Sequence, residues 1–160
     1  MQKARHFDAE RTRPQSVVAV FDDWDALHAV LVGLKSHTTL RSGVVLHARK
    51  DAPPAASSFG LLKEMAHLRF SQPRQDIACT VGRLAQELSV RSAGGTRSLA
   101  GALHGWFSSV QAEQLQSHIG RGHLVLCLQL GTPEDFSVVC GRLVQASPHM
   151  VGLCNIKFGS

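Results

Sequence analysis

A strand–helix–strand pattern occurs twice in this chain, and no other feature constrains the fold as much. The first copy opens at residues 16–21, where Val17, Val18 and Val20 make the short β-branched run of a strand buried on both faces. Asp22, Asp23 and Asp25 follow. Asp22 or Asp23 can cap a helix, accepting hydrogen bonds from its free N–H groups, and the other carboxylates suit the positive end of the helix dipole. Leu27, Val30, Leu31 and Leu34 then recur at helical spacing. Lys35 and His37 fall near the end of that helix, and Gly43 precedes a second strand at 44–48.

The second copy repeats the order. Residues 123–130 read as a strand around the apolar run at 124–128, and Thr132-Pro133-Glu134-Asp135 is a helix start with Thr as cap, Pro at the first position and acids behind. Phe136, Val139, Cys140, Leu143 and Val144 form the apolar stripe. Pro148 closes the helical region, and residues 151–158 give a last strand. Two such units with right-handed crossovers predict an α+β fold. The expected form is a split βαβ, ferredoxin-like sandwich, with a four-stranded antiparallel sheet and helices on one face.

The expected layout is a flexible N-terminal arm, residues 1–15, and one α+β domain, residues 16–160. Within the domain, βαβ units at 16–50 and 123–158 flank a mainly helical insertion at 51–122. At 160 residues and 44% hydrophobic content the chain suits one domain with a real core. In the insertion, residues 51–58 read as a loop. Phe59, Leu62, Met65 and Ala66 suit either a short helix or an irregular strand. Asp76 is read as the cap of a helix carrying Ile77, Val81, Leu84 and Leu88. Residues 91–97 read as a loop, Leu99, Leu103, Trp106 and Phe107 as a further helix. Residues 108–111 resemble a capping box for a helix with Ala112, Leu115 and Ile119, closed by Gly120 or Gly122.

The net charge of +5 permits an anionic partner without requiring one. Lys3, Arg5, Arg11 and Arg13 crowd the arm, interleaved with Asp8 and Glu10. No apolar stretch follows them, so no secretory signal is expected. No apolar run approaches the length of a membrane span. Cys79, Cys127, Cys140 and Cys154 form no Cys-x-x-Cys pair. They read as free thiols of a reducing compartment, which places the protein in the cytoplasm.

Two stretches carry a family resemblance. They are Val17-Val-Ala-Val-Phe-Asp-Asp-Trp-Asp-Ala-Leu and Gln111-Ala-Glu-Gln-Leu-Gln-Ser-His-Ile-Gly-Arg-Gly-His-Leu-Val-Leu. With the elements that follow them, they resemble the bacterial general-stress-protein-like family of the heat-induced stress protein type. The resemblance implies a duplicated fold and a stress-associated role. It carries over no catalytic residue. The apolar Gly/Ala-rich segment of that family is replaced here by polar stretches with Arg83, Glu87, Arg91 and Arg97, against a membrane role.

Candidate sites compete with simpler readings. Arg91, Gly94, Gly95, Thr96 and Arg97 could bind an anion, since glycines free the backbone N–H groups and a helix start follows. A plain connection explains the same residues. Among nine histidines, His104, His118 and His123 are the candidates for a metal or haem. His118 and His123 are not placed to share a helical face, and hydrogen-bonded or exposed rings account for all three. Trp106 and Phe107 mark either an interface or the core of the insertion. The strands lack the exposed aromatics of an RNA-binding sheet, so nucleic acid is not an expected partner. No cofactor is expected. The leading expectation is a non-enzymatic binding, regulatory or stress-associated module that forms a homo-oligomer and has room for a protein partner. The alternative is a small-molecule or cofactor-binding enzyme of the dimeric α+β-barrel type.

Overall fold

A computed structural model describes residues 15–35, 40–51, 65–80, 83–130, 133–146 and 149–154. All of the expected arm except Gln15 lies outside them. So do His37, Phe59, Leu62, Val81, Thr132, Pro148 and residues 155–158. The elements run β1 (Gln15–Phe21), α1 (Trp24–Lys35), β2 (Leu40–Ala48), a 3-10 turn (Arg49–Asp51), β3 (Met65–Ser71), β4 (Arg74–Thr80), α2 (Arg83–Ala93), α3 (Leu99–Leu103), α4 (Ser109–Gly120), β5 (Leu124–Leu130), α5 (Pro133–Ala146) and β6 (Met150–Cys154).

The fold is α+β. The sheet has six strands, in the order β3-β4-β2-β5-β1-β6, and every neighbouring pair is antiparallel. The four strands of the two strand–helix–strand successions, β1-α1-β2 and β5-α5-β6, occupy the positions from β2 to β6. The hairpin β3–β4, from the insertion, adds two more beside β2. The expected four-stranded sheet is thus extended to six, and the insertion carries a strand hairpin as well as its three helices.

The helix expected to start at Asp76 is also corrected. Asp76 and Ile77 lie in β4, and the helix begins only at Arg83. Residues 77–80 are all buried. A short continuous apolar run reads equally as strand or helix, and here pairing with β3 and β2 decides it. Where β4 meets β2, the Val45 N–H donates to Thr80 Oγ1 at 3.1 Å, continuing the attachment with a side chain. Gly43 lies within β2 rather than before it.

Helices cover both faces, not one. Side chains alternate along a strand, so β1 sends Val17, Ala19 and Phe21 one way and Val18 and Val20 the other. The first set packs with Leu27, Val30 and Leu31 of α1 and Val139 and Leu143 of α5. The second packs with α2, α3 and α4 of the insertion, through Leu84, Leu88, Leu99, Leu103, Leu115 and Ile119. Residues 17–21 have no exposed surface, as the β-branched run predicts. The insertion therefore supplies the second helical layer. Without it, the apolar face of Val18, Val20, Val44 and Leu46 would face water.

Candidate histidine cluster

α4 begins with the expected capping box: Ser108 Oγ accepts from the Gln111 N–H, and Gln111 Oε1 accepts from the Ser108 N–H. Its other end determines the site. Arg121 is the C-cap, and Gly122 follows at φ +92°, a left-handed conformation that favours glycine. The Gly122 N–H donates to the Ile119 carbonyl at 3.1 Å, and the His123 N–H to the His118 carbonyl at 3.0 Å. These two bonds form a Schellman motif, which folds the chain back over the last helical turn. His123 is thereby laid beside His118, although the two share no helical face. Their Nδ1 atoms are 3.0 Å apart and their rings 5.2 Å.

Sheet order adds two more groups. β1 lies between β5 and β6, with Phe21 opposite Leu124 and Val20 opposite Met150. One step beyond these pairs, the chain ends of the three strands bring Asp22, His123 and His149 together. Asp22 accepts a hydrogen bond from His149 Nε2, and its Oδ1 lies 3.6 Å from His123 Nε2. The His123 and His149 rings stack at 4.2 Å, and His149 lies 5.4 Å from His118. One ligand atom from each of the three imidazoles falls within 4.8 Å of the others. A cleft of 440 Å³ lined by Gln114, Ser117, His118, Arg121, His149 and Met150 opens beside them.

Burial holds the His118 ring below its ordinary pKa, helped by repulsion from His123, His149 and Arg121. The Asp22 carboxyl is held below its usual range chiefly by the hydrogen bond from His149, which outweighs the desolvation cost, with smaller help from attraction to His149 and His123. The cluster thus favours an ionised carboxylate and a neutral imidazole, the forms that ligate a cation. Two nitrogens on a tetrahedral zinc ion lie about 3.3 Å apart. The His118–His123 pair is already near that separation. With all three atoms within 4.8 Å, the widest pair needs to close by at most about 1.5 Å. Asp22 then serves as the carboxylate that fixes ring tautomer and orientation.

The other expected site residues lie elsewhere. His104 is exposed at the end of α3 and takes no part in the cluster; His149 stands in its place. The anion loop is not assembled as an anion site. Arg91 belongs to α2 and turns inward, donating to the carbonyls of His104 at 2.7 Å and Ala102 at 3.4 Å, with its guanidinium 4.8 Å above the Trp106 ring. The Gly94 and Gly95 N–H groups donate to Val90 and Ser92 carbonyls at the helix end. Thr96 Oγ1 donates to the Arg91 carbonyl, and the Arg97 carbonyl accepts from Ser71 and Gln72. Trp106 and Phe107 are buried in the core of the second face, so neither presents a docking surface.

Asp23, not Asp22, caps α1, accepting from the Ala26 N–H at 2.8 Å. That leaves Asp22 for the histidines. The sequence signal for half of the cluster was His118-Ile-Gly-Arg-Gly-His123 at a helix end. Nothing local pointed to His149 or Asp22. Searches of family models, of curated proteins and of solved structures find no match to this chain.

Proposed function

We propose that this protein is a binding module for a first-row divalent metal of the zinc class, held by His118, His123 and His149 with Asp22 behind them. The observation that carries this reading is the convergence of three imidazoles and a carboxylate from three separate segments of the chain. Imidazole nitrogen suits Zn²⁺ and its neighbours in the first row, whereas Mg²⁺ and Ca²⁺ prefer oxygen. The module is non-enzymatic and regulatory or stress-associated, in keeping with the family resemblance. It is cytoplasmic, in keeping with four free cysteines. No helix among the described residues is long and apolar enough to cross a membrane. The order β2-β5-β1-β6 of the repeated strands supports a ferredoxin-like core within the larger sheet. Self-association through the edge strand β6, where Leu153 is exposed, completes this reading.

The alternative is a small-molecule or cofactor-binding enzyme of the dimeric α+β-barrel type. The cleft beside His118 and His149 favours it, because three protein ligands leave a metal position open to a substrate or water. Titration of chelator-treated protein with Zn²⁺, and with Co²⁺ read by its visible absorption, tests the metal site. One equivalent is expected to bind. His123→Ala and His149→Ala are expected to weaken binding at least tenfold, Asp22→Asn by roughly 10–100-fold, and His104→Ala not at all. No binding, or equal binding by all variants, would leave the cluster a hydrogen-bonded network only.

A further inference from the structure

A second cleft, of 510 Å³, opens at the same end of the sheet as the histidines. Its walls are the end of β2 with the turn after it, the start of β4, and the end of α4. Arg49, Lys50 and Arg74 line it, and all three are exposed. Among the described residues none of them is paired with a carboxylate. The one acid in the lining, Asp76, has Arg69 3.9 Å away. Ile77 and Ile119 lie at the base, both buried.

Gln75 gives the cleft a chemical preference. Its Nε2 donates to the Gln116 carbonyl at 3.2 Å, which fixes the orientation of the amide. Its Oε1 is buried and has no hydrogen-bond partner. A buried acceptor without a donor is unfavourable, because it has given up water and gained nothing in return. A ligand that supplies an O–H or N–H at that point removes the cost, while unpaired cations at the rim attract an anion. The volume is that of a small-molecule site.

We propose that this cleft binds a small phosphate monoester carrying a hydroxyl donor, with phosphate against Arg49, Lys50 and Arg74 and the hydroxyl against Gln75 Oε1. The site shares no side chain with the histidine cluster, so it stands or falls without the metal.

Calorimetric titration of the chelator-treated full chain with ribose 5-phosphate, ribose and inorganic phosphate tests it, together with amide NMR shifts. Ribose 5-phosphate is expected to bind most tightly, inorganic phosphate more weakly, and ribose not measurably. Shifts should centre on the Gln75 side-chain amide and Ile119. Arg74→Gln and Lys50→Gln should each weaken binding roughly tenfold. Both positions are exposed, so loss of fold does not confuse the result. The proposal is overturned if none of the three binds below a Kd of about 1 mM, if inorganic phosphate matches the ester, if the variants bind normally, or if the shifts map elsewhere. Preference for a single-stranded RNA over the ester would also overturn it.

Discussion

His47 is fully buried in β2. Its Nδ1 donates to the Ala48 carbonyl at 2.7 Å, its ring meets Trp24 edge-on at 5.0 Å, and its Nε2 has no partner. Burial holds its pKa below the ordinary value, outweighing the Ala48 bond and the nearby Asp51 charge, and His67 adds to the depression. The sign follows by linkage. Below about pH 6.5 the unfolded chain takes up a proton that the folded ring resists, so stability falls with pH from there. His118, lowered in the same direction, adds to the loss, as does protonation of Asp22 further down. His47→Leu removes one titration and is expected to reduce the fall in Tm between pH 7 and 5. An unchanged pH profile would show that His47 does not titrate differently on folding. Arg91 is the other residue whose role the structure reassigns. It ties the ends of α2 and α3 to Trp106, so Arg91→Ala is expected to cost about 1–3 kcal/mol in denaturant unfolding and leave anion affinity unchanged.

Two helix ends carry unequal weight at the scale of elements. At the start of α4, Ser108→Ala removes a cap worth about 1 kcal/mol and should do little else. At its far end, Gly122→Ala forces a Cβ into the left-handed region and costs about 1 kcal/mol. It also loosens the turn that lays His123 beside His118. Measured together, denaturant unfolding and Zn²⁺ titration should therefore separate the two variants. Both lose similar stability, while only Gly122→Ala loses metal affinity. Equal affinities would detach the Schellman turn from the site. The insertion shows how an element can be misread. Residues 76–88 satisfy a helical spacing at Ile77, Leu84 and Leu88, yet the first of these lies in β4 and the others in α2. A period of a few residues cannot separate strand from helix when one side of the choice is settled by a neighbouring strand.

At the scale of the molecule, the proposed metal site draws on residues from Asp22 to His149, with His118, His123 and His149 as ligands, so binding should couple to global unfolding. Zn²⁺ at about 100 times its Kd is expected to add about 2.7 kcal/mol of stability, read as a rise in Tm that His149→Ala cuts to about half or less at the same Zn²⁺ concentration. The thiols report the same transition from the core. Burial pushes Cys79 up to about 11 and Cys154 to about 12, and holds Cys127 well above its ordinary value. Cys79 and Cys127 are expected to resist a thiol reagent until the protein unfolds. Rapid labelling of both in the native state would contradict the packing of the second face. The repeated strand–helix–strand units, the cap at Ser108 and the buried run of β1 were written in local order, because each depends on neighbours within one or two turns of chain. The capping of α1 was partly legible, since either Asp22 or Asp23 could serve, and the structure assigns it to Asp23. The sixfold sheet, its two helical faces, the basic cleft and the meeting of Asp22, His123 and His149 were not. Those follow from which strand lies beside which, and that is set by burying both faces of the sheet at once, a requirement that no local stretch of sequence contains.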